Sequence, residues 1–328
     1  MSALREALQR NLPLAPQSME RPGWTQPLSV RQVPVPSTKH TFLAHARLRR
    51  TSPITHYAVA SALEALGEDS VRVREGSLRL GIILCVLSGC VNYSRRFYEE
   101  TLRDPATASP LVFPETVFNA PASHLAALLG TSAVNYTLVG DPGTFLQGVA
   151  LAAEWLAAGL VDGCLVIGAE ERDWLSADAV RHFSRQAIMA EGAGSVYLKS
   201  APSPGAWASL EAITDSYLFF DGASRKRAVE NVQAHLPPAG TRDVLCDGLQ
   251  GVPRLDRAEI AAWKDWPGAR LSPRRILGDG LAASAAWQVV AALDALRQGQ
   301  YAGTHVSVLG CNQQAIGARF VALAELRP

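Results

Sequence analysis

Two largely apolar helical stretches, the first with almost no polar face, constrain this chain more than any other feature. Phe145–Ala158 carries Phe145, Leu146, Val149, Leu151, Trp155 and Leu156 among alanines, and Leu281–Leu296 is apolar and alanine-rich. A helix that is hydrophobic all round has to be buried all round. Each lies between short apolar runs that read as strands. Leu80–Leu87 is nearly continuous in apolar residues, the mark of a strand covered on both faces. Cys164–Ile167 and Val196–Lys199 fit strands beside the first helix; Asp215–Leu218, Asp243–Cys246, His305–Leu309 and Ala318–Leu323 fit strands beside the second. Strands alternating with helices predict a layered α/β fold. One buried helix per half predicts two pseudo-repeated halves.

Other segments frame this core. Residues 1–40 hold Pro13, Pro16, Pro22, Pro27, Pro34 and Pro36 and are expected to be irregular, with a short edge strand at Leu28–Val33. Helical spacing covers His56–Leu66, stopped by Gly67, then Tyr93–Leu102, and Ala122–Leu129, stopped by Gly130. The expected division is a proline-rich segment 1–40, an N-terminal half 41–200 and a C-terminal half 201–328.

With 328 residues, 48% of them hydrophobic, the chain can bury a large core. A formal net charge of +1, with no long single-sign run, gives no sign of a nucleic-acid groove or an anionic membrane surface. No apolar run is long enough to span a bilayer, and the mixed, charged start is unlike a signal peptide. The five cysteines show no metal-ligand spacing, and buried free thiols suit a reducing, cytoplasmic setting.

Phe113-Pro114, Phe118-Asn119-Ala120-Pro121, the first apolar helix, the strand at 163–168 with Glu170 and Glu171, and Glu191-Gly192-Ala193-Gly194 together resemble the β-ketoacyl synthases of the thiolase superfamily. The resemblance covers most of 80–326 and is most specific over 113–199. It implies a thiolase-like αβαβα fold of two related halves. It also implies three catalytic positions, a cysteine and two histidines, and this chain has aspartate at each.

The cysteine belongs at the turn into the first buried helix, where helix amides favour a thiolate. Here that turn reads Val139-Gly140-Asp141-Pro142-Gly143-Thr144, with Asp141 in the cysteine's place. Asp before Pro is also an N-cap signature, so Asp141 is expected to cap the helix. Asp247, after the strand 243–246, takes the first histidine's place, or forms a plain turn with Gly248. Asp256 and Glu259 echo a D-x-x-E pattern of the family. Asp279 takes the second histidine's place and Arg274 the place of a lysine; Asp279 too reads as an N-cap. The terminal glycine loop reads Gly310-Cys311-Asn312, with only the first glycine kept. None of the seven histidines has a catalytic neighbour in sequence. Cys246 and Cys311 flank these motifs without a paired base.

The pattern implies no intact catalytic triad, no cofactor and no metal. Its first functional reading is a non-catalytic ketosynthase-like subunit, akin to a chain-length factor, dimerising with itself or with an active homologue. Such factors commonly carry glutamine at the cysteine position, and this chain departs from that. A second reading has Asp141, Asp247 and Asp279 converging for acid–base or metal-assisted chemistry on an acyl or polyene substrate. A third is an acyl-binding module that docks an acidic acyl carrier protein through Arg225-Lys226-Arg227.

Overall fold

The computed structural model describes residues 1–35, 38–200, 203, 205–311 and 313–323. Its core repeats one topology twice. In the first half, Leu80–Val86 lies between Asn135–Val139 and Gly163–Glu170, both parallel to it, and Gly192–Lys199 adds antiparallel to Gly163–Glu170. In the second, Asp243–Cys246 lies between Arg270–Leu271 and Gly303–Leu309, both parallel to it, and Gln314–Ala322 adds antiparallel to Gly303–Leu309. Ala208–Ile213 and Tyr217–Leu218 pair with the outer side of Gln314–Ala322.

The two apolar helices, Thr144–Ala157 and Ala282–Arg297, lie between these sheets. One buried cluster joins Phe145, Leu146 and Val149 of the first helix, Ala285, Val289 and Ala292 of the second, and Ile83, Val166, Val306 and Ile316 of the sheets. The strand pattern explains the layering. In Leu80–Val86, Ile83 and Cys85 face this central cluster, while Leu80, Ile82, Leu84 and Val86 face Pro53–Leu66 and Ala120–Leu129 outside. Gly222–His235 and Pro253–Ala262 cover the other sheet through Val229, Val232, Ala258 and Ala262, with Trp263 just after the second helix. The result is five layers, αβαβα. Close approach of helix and sheet requires glycine at 168, where a Cβ would lie 2.8 Å from both the Ala282 carbonyl and the Ala286 methyl.

The expected elements are present, with corrections. The N-terminal segment is not irregular throughout. Ser2–Arg10 is a helix ending at Asn11 in the left-handed region, before the first proline, and Arg5 pairs bidentately with Asp294 of the second central helix at 2.7 and 2.9 Å. Leu28–Arg31 is the middle, not the edge, of a small sheet between Gln17–Met19 and Met189–Ala190. Pro36 lies outside the described residues. The strand expected over 215–218 shrinks to Tyr217–Leu218. No helix among the described residues is long and apolar enough to cross a membrane.

Candidate functional site: three buried aspartates

The pseudo-repeat explains where the site forms. Asp141 follows Asn135–Val139 and leads into the first central helix; Asp279 follows Arg270–Leu271 and leads into the second. The two residues occupy topologically equivalent turns. Asp247 follows the central strand of the second half, and the 310–314 turn joins Gly303–Leu309 to Gln314–Ala322.

Asp141 is buried, 1% exposed, and it does not cap the helix. The residue before the helix is Gly143, and no side chain caps that end. The Asp141 carboxylate crosses to the 310–314 turn instead. Oδ1 accepts from the Cys311 N–H at 3.2 Å, and Oδ2 accepts from the N–H groups of Gln313 at 2.8 Å and Gln314 at 3.4 Å. Asn312 lies outside the described residues. Gly310 packs directly on the carboxylate: a Cβ there would lie 1.9 Å from Oδ1. Only glycine fits, which accounts for the one glycine the loop retains.

Arg225 holds the same turn from its other side. The sequence reading makes it part of a candidate carrier-docking run; it lies in the first turns of the helix Gly222–His235 and turns inward. Its Nη1 donates to the Cys311 carbonyl at 3.0 Å, and its guanidinium lies 4.8 Å over the Phe219 ring. Burial, and then the neighbouring Arg274, lower its pKa. Lys226 and Arg227 remain exposed, and Lys226 pairs with Glu230 at 3.2 Å. Of the three, Arg225 turns inward while Lys226 and Arg227 face solvent.

Asp279 is an ion-pair partner more than a cap. Arg274, 2% exposed, places Nη2 at 2.9 Å from Asp279 Oδ2 and donates through Nη1 to the Leu309 carbonyl at 3.3 Å. Asp279 Oδ1 accepts from the Leu281 N–H at 3.0 Å, in an Asx-type turn. Ser284, a residue sequence reasoning passed over, accepts from the Gly280 N–H at 2.7 Å. Leu281 has φ 49°, an uncommon left-handed conformation for a bulky residue, held by these bonds.

Asp247 is fully buried. Oδ1 accepts from the Ser272 hydroxyl at 2.6 Å and the Leu249 N–H at 3.3 Å, and Oδ2 lies 3.7 Å from Arg270 Nη1. The backbone over 247–250 is irregular rather than a hydrogen-bonded turn, and carboxylates hold it. Glu259, from the D-x-x-E echo, accepts from the Gly248 N–H at 3.1 Å and the Ser307 hydroxyl at 2.6 Å. Asp256 holds the N–H groups of Gln250 at 3.0 Å and Val252 at 2.9 Å.

Burial raises the pKa of both Asp247 and Glu259, and the charge of Asp247 adds to the rise at Glu259. The folded pair therefore keeps protons that ordinary carboxylates would have lost. Because the native state then binds more protons than the unfolded chain, this pair's contribution to stability is present at acid pH. It is lost as pH rises from the ordinary carboxylate range, about 4, through the raised values. Urea unfolding across that range is expected to show declining stability, with a shallower decline in Asp247→Asn. An unchanged slope in that variant would reject the pair as its cause.

Neither candidate thiol is activated. Burial pushes Cys311 up to about 12, and Asp141 and Asp279 add to the rise. Cys246, raised well above its ordinary value by burial, donates to the Gln288 carbonyl at 3.1 Å. The cavity at this site is bounded by Arg225, Gln250, Asp279 and Cys311 on its polar side and by Phe183 and Leu281 among its apolar walls. Its volume is about 20 Å³, room for about one water. Among the described residues, no histidine lines it. Among the described residues, no group of three or more His, Cys, Asp or Glu is arranged to hold a metal ion.

No family model matches this sequence, and no curated protein matches it. Solved structures do. The ishigamide ketosynthase/chain length factor aligns with a TM-score of 0.76 at 17% identity, over 98% of this chain and 95% of that one. The chain has the ketosynthase-type thiolase-like fold. A β-ketoacyl synthase from Burkholderia phymatum aligns with a TM-score of 0.73 at 16% identity, over 97% of this chain and 94% of that one. A type II polyketide synthase acyl-carrier protein in complex with its ketosynthase bound to the hexaketide gives 0.67 at 17% identity, over 90% and 89%. At these identities the likeness establishes the fold, and the chemistry has to be argued from the residues.

Proposed function

We propose that this chain is a non-catalytic, cytoplasmic ketosynthase-like subunit, a chain-length-factor-like partner in acyl-chain assembly of the fatty-acid or polyketide type. The observation that carries the reading is Asp141. The residue at the nucleophile's turn is a carboxylate, and its oxygens are bonded to the turn at 311–314. With both nearby thiols held protonated, nothing at the site is poised to attack a thioester. The acid–base or metal-assisted alternative has less support, because Asp141, Asp247 and Asp279 are each turned onto separate donors.

Retained packing with lost chemistry fits a subunit kept for its interface. Asn135–Val139 is the edge of its sheet, with Tyr136 and Val139 each 52% exposed. A groove beside it is lined by Leu138, Leu218, Phe219 and Phe220, and Phe220 is 89% exposed. An unpaired edge beside exposed aromatic residues fits strand addition across a two-fold, by a second copy or by an active homologue. Obligate interfaces of this kind bury about 2,000 Å² or more. An acyl carrier protein would then dock on the assembled pair, as one does on the ketosynthase of the type II polyketide synthase complex compared above.

The test is purification with the proteins encoded beside it, followed by mass measurement of the intact complex. A stable one-to-one complex with a ketosynthase that has cysteine and both histidines is the expected result. A homodimer would keep the pseudo-enzyme reading and remove the partner. A well-folded monomer at micromolar concentration in sedimentation would overturn the interface argument.

A further inference from the structure

We propose that Ser2–Arg10 is a hinged guard over an open sheet edge, the outer side of Gly192–Lys199, and that this edge pairs with the same edge of a second copy of the chain when the helix lifts off. The contact lies at the opposite end of the sheet from the one proposed above and does not depend on it.

The two halves differ by one strand. In the second half, Ala208–Ile213 adds antiparallel to the outer side of Gln314–Ala322. In the first, Gly192–Lys199 holds the equivalent place and ends its sheet; among the described residues no strand adds to its outer side. Two bonds close that side near its start. The Glu191 N–H donates to the Arg31 carbonyl at 3.2 Å, and Trp287 Nε1 donates to the Ala193 carbonyl at 3.2 Å. Alternation along an antiparallel strand turns the N–H and C=O groups of Ser195, Tyr197 and Lys199 the same way as those of Ala193. Groups left open along an edge are a template for pairing with another chain, and a covering helix is one way native proteins block it.

Ser2–Arg10 is placed as such a cover. Pro53–Leu66 packs on one face of the edge strand, around Ala193 and Tyr197, and Ala282–Arg297 on the other, around Val196 and Leu198. The N-terminal helix touches both flanking helices. The main-chain nitrogen of Met1 lies 2.7 Å from Glu64 of the first, and Arg5 pairs with Asp294 of the second. Leu8 packs against the same central cluster as Val196 and Leu198. A segment that bridges the two helices crosses the strand edge between them.

Its attachment is light, since none of its described side chains is buried. Asp294 is the anchor, a carboxylate 7% exposed on an otherwise apolar helix, held by Arg5 and by Gln298 Nε2 at 2.8 Å. The helix ends at Asn11, φ 50°, and the Leu14 N–H donates to the Ile276 carbonyl at 2.9 Å. Lifting the helix thus breaks few contacts and leaves the chain tethered at Leu14. Segments held this way open far below the free energy of global unfolding.

A second copy suits the uncovered edge, because an antiparallel edge is complementary to itself across a two-fold. Lys199 does not oppose the approach of its equivalent, since its ammonium is paired with Asp69. One consequence rests on the reading proposed above: with Asn135–Val139 pairing at the far edge of the same sheet, two-folds at both edges build an open chain of subunits, and the guard prevents it.

The experiment compares the full-length chain with Arg5→Ala/Asp294→Asn, which removes the ion pair without stranding a buried charge. Hydrogen exchange is read at low concentration and sedimentation at high concentration. In the variant the amides of Ser195, Tyr197 and Lys199 are expected to exchange roughly tenfold faster or more, with those of Leu165 and Val166 unchanged. Its sedimenting mass should be at least twice the parent's, whether the parent is a monomer or a dimer, so a failure of the interface at Asn135–Val139 leaves this outcome intact. Adding Ser195→Pro, which removes one outward N–H from the edge, should return the mass to the parent's. Unchanged exchange at the three amides would overturn the guard. Faster exchange with no gain in mass would overturn the second copy as the strand this edge takes. A doubled mass that survives Ser195→Pro would overturn the edge as the contact. If the double variant does not fold, Leu8→Ser loosens the same helix and is judged by the same readouts.

Discussion

Arg274→Met is expected to destabilise the chain by about 3–5 kcal/mol, the largest loss from any single substitution in the site. Arg274 links the turn into the second central helix to the end of the strand Gly303–Leu309. It pairs with Asp279 at 2.9 Å and holds the Leu309 carbonyl just before the 310–314 turn. Burial works against its charge, but Asp279 and Glu259 outweigh burial and raise its pKa. Methionine would fill much of the same volume and remove the cation. Asp279 would then be left buried without its ion-pair partner, and Glu259 would lose the positive charge that favours its ionised form. Removing one member of a buried pair costs far more than removing both. The double variant Arg274→Met/Asp279→Asn should therefore recover more than half of the loss. Urea unfolding of the three proteins gives the comparison, with equal slopes required for a clean reading. A loss below about 1 kcal/mol, the range of an exposed pair, would show that Arg274 is screened by solvent after all.

The fold is legible in the sequence where burial is written into composition. The helices at 145–158 and 281–296 have almost no polar side, so their central position follows from solvation; in the first, Gln147 and Glu154 make the small exposed stripe. The strand at 80–87 is legible for the same reason. Ala208–Ile213 is not, because its half-buried residues alternate weakly. Its place is set by pairing with the long strand Gln314–Ala322. The helix at Ser2–Arg10 is hidden by the proline-rich stretch behind it, although proline restricts only its own neighbourhood.

At the site, residue identity is legible and partnership is not. Asp-Pro-Gly-Thr is a sound local signature for a cap. The Asp141 side chain nevertheless bonds a turn 170 residues away, and no local rule can weigh that option. Arg225 reads as a surface cation because its neighbours Lys226 and Arg227 are surface cations. Its inward turn depends on the Cys311 carbonyl and the Phe219 ring, which only the tertiary structure supplies.

Asp141→Cys is expected to leave condensation at the level of the parent chain, which the proposed function puts at background. The new thiol would stand at the turn into a helix, a placement that favours a thiolate. It would still lack a base and the two residues that act on the donor in the ketosynthase family. Catalytic groups that work as a unit do not contribute singly, so restoring one restores almost nothing. The triple variant Asp141→Cys/Asp247→His/Asp279→His should also fail, for reasons particular to this chain. A histidine at 279 would face Arg274 across the present 2.9 Å contact, setting one cation beside another or forcing a neutral ring. A histidine at 247 would enter a fully buried position and leave Ser272 and Arg270 without their acceptor. The 310–314 turn would lose the carboxylate that orders it. Intact-mass detection after incubation with an acyl-thioester donor checks each protein, beside a condensation assay with a carrier-bound extender. An acyl adduct on the parent chain at Asp141, Cys246 or Cys311 would overturn the non-catalytic reading. Condensation by Asp141→Cys alone would show that the rest of the machinery survives in residues other than Asp247 and Asp279.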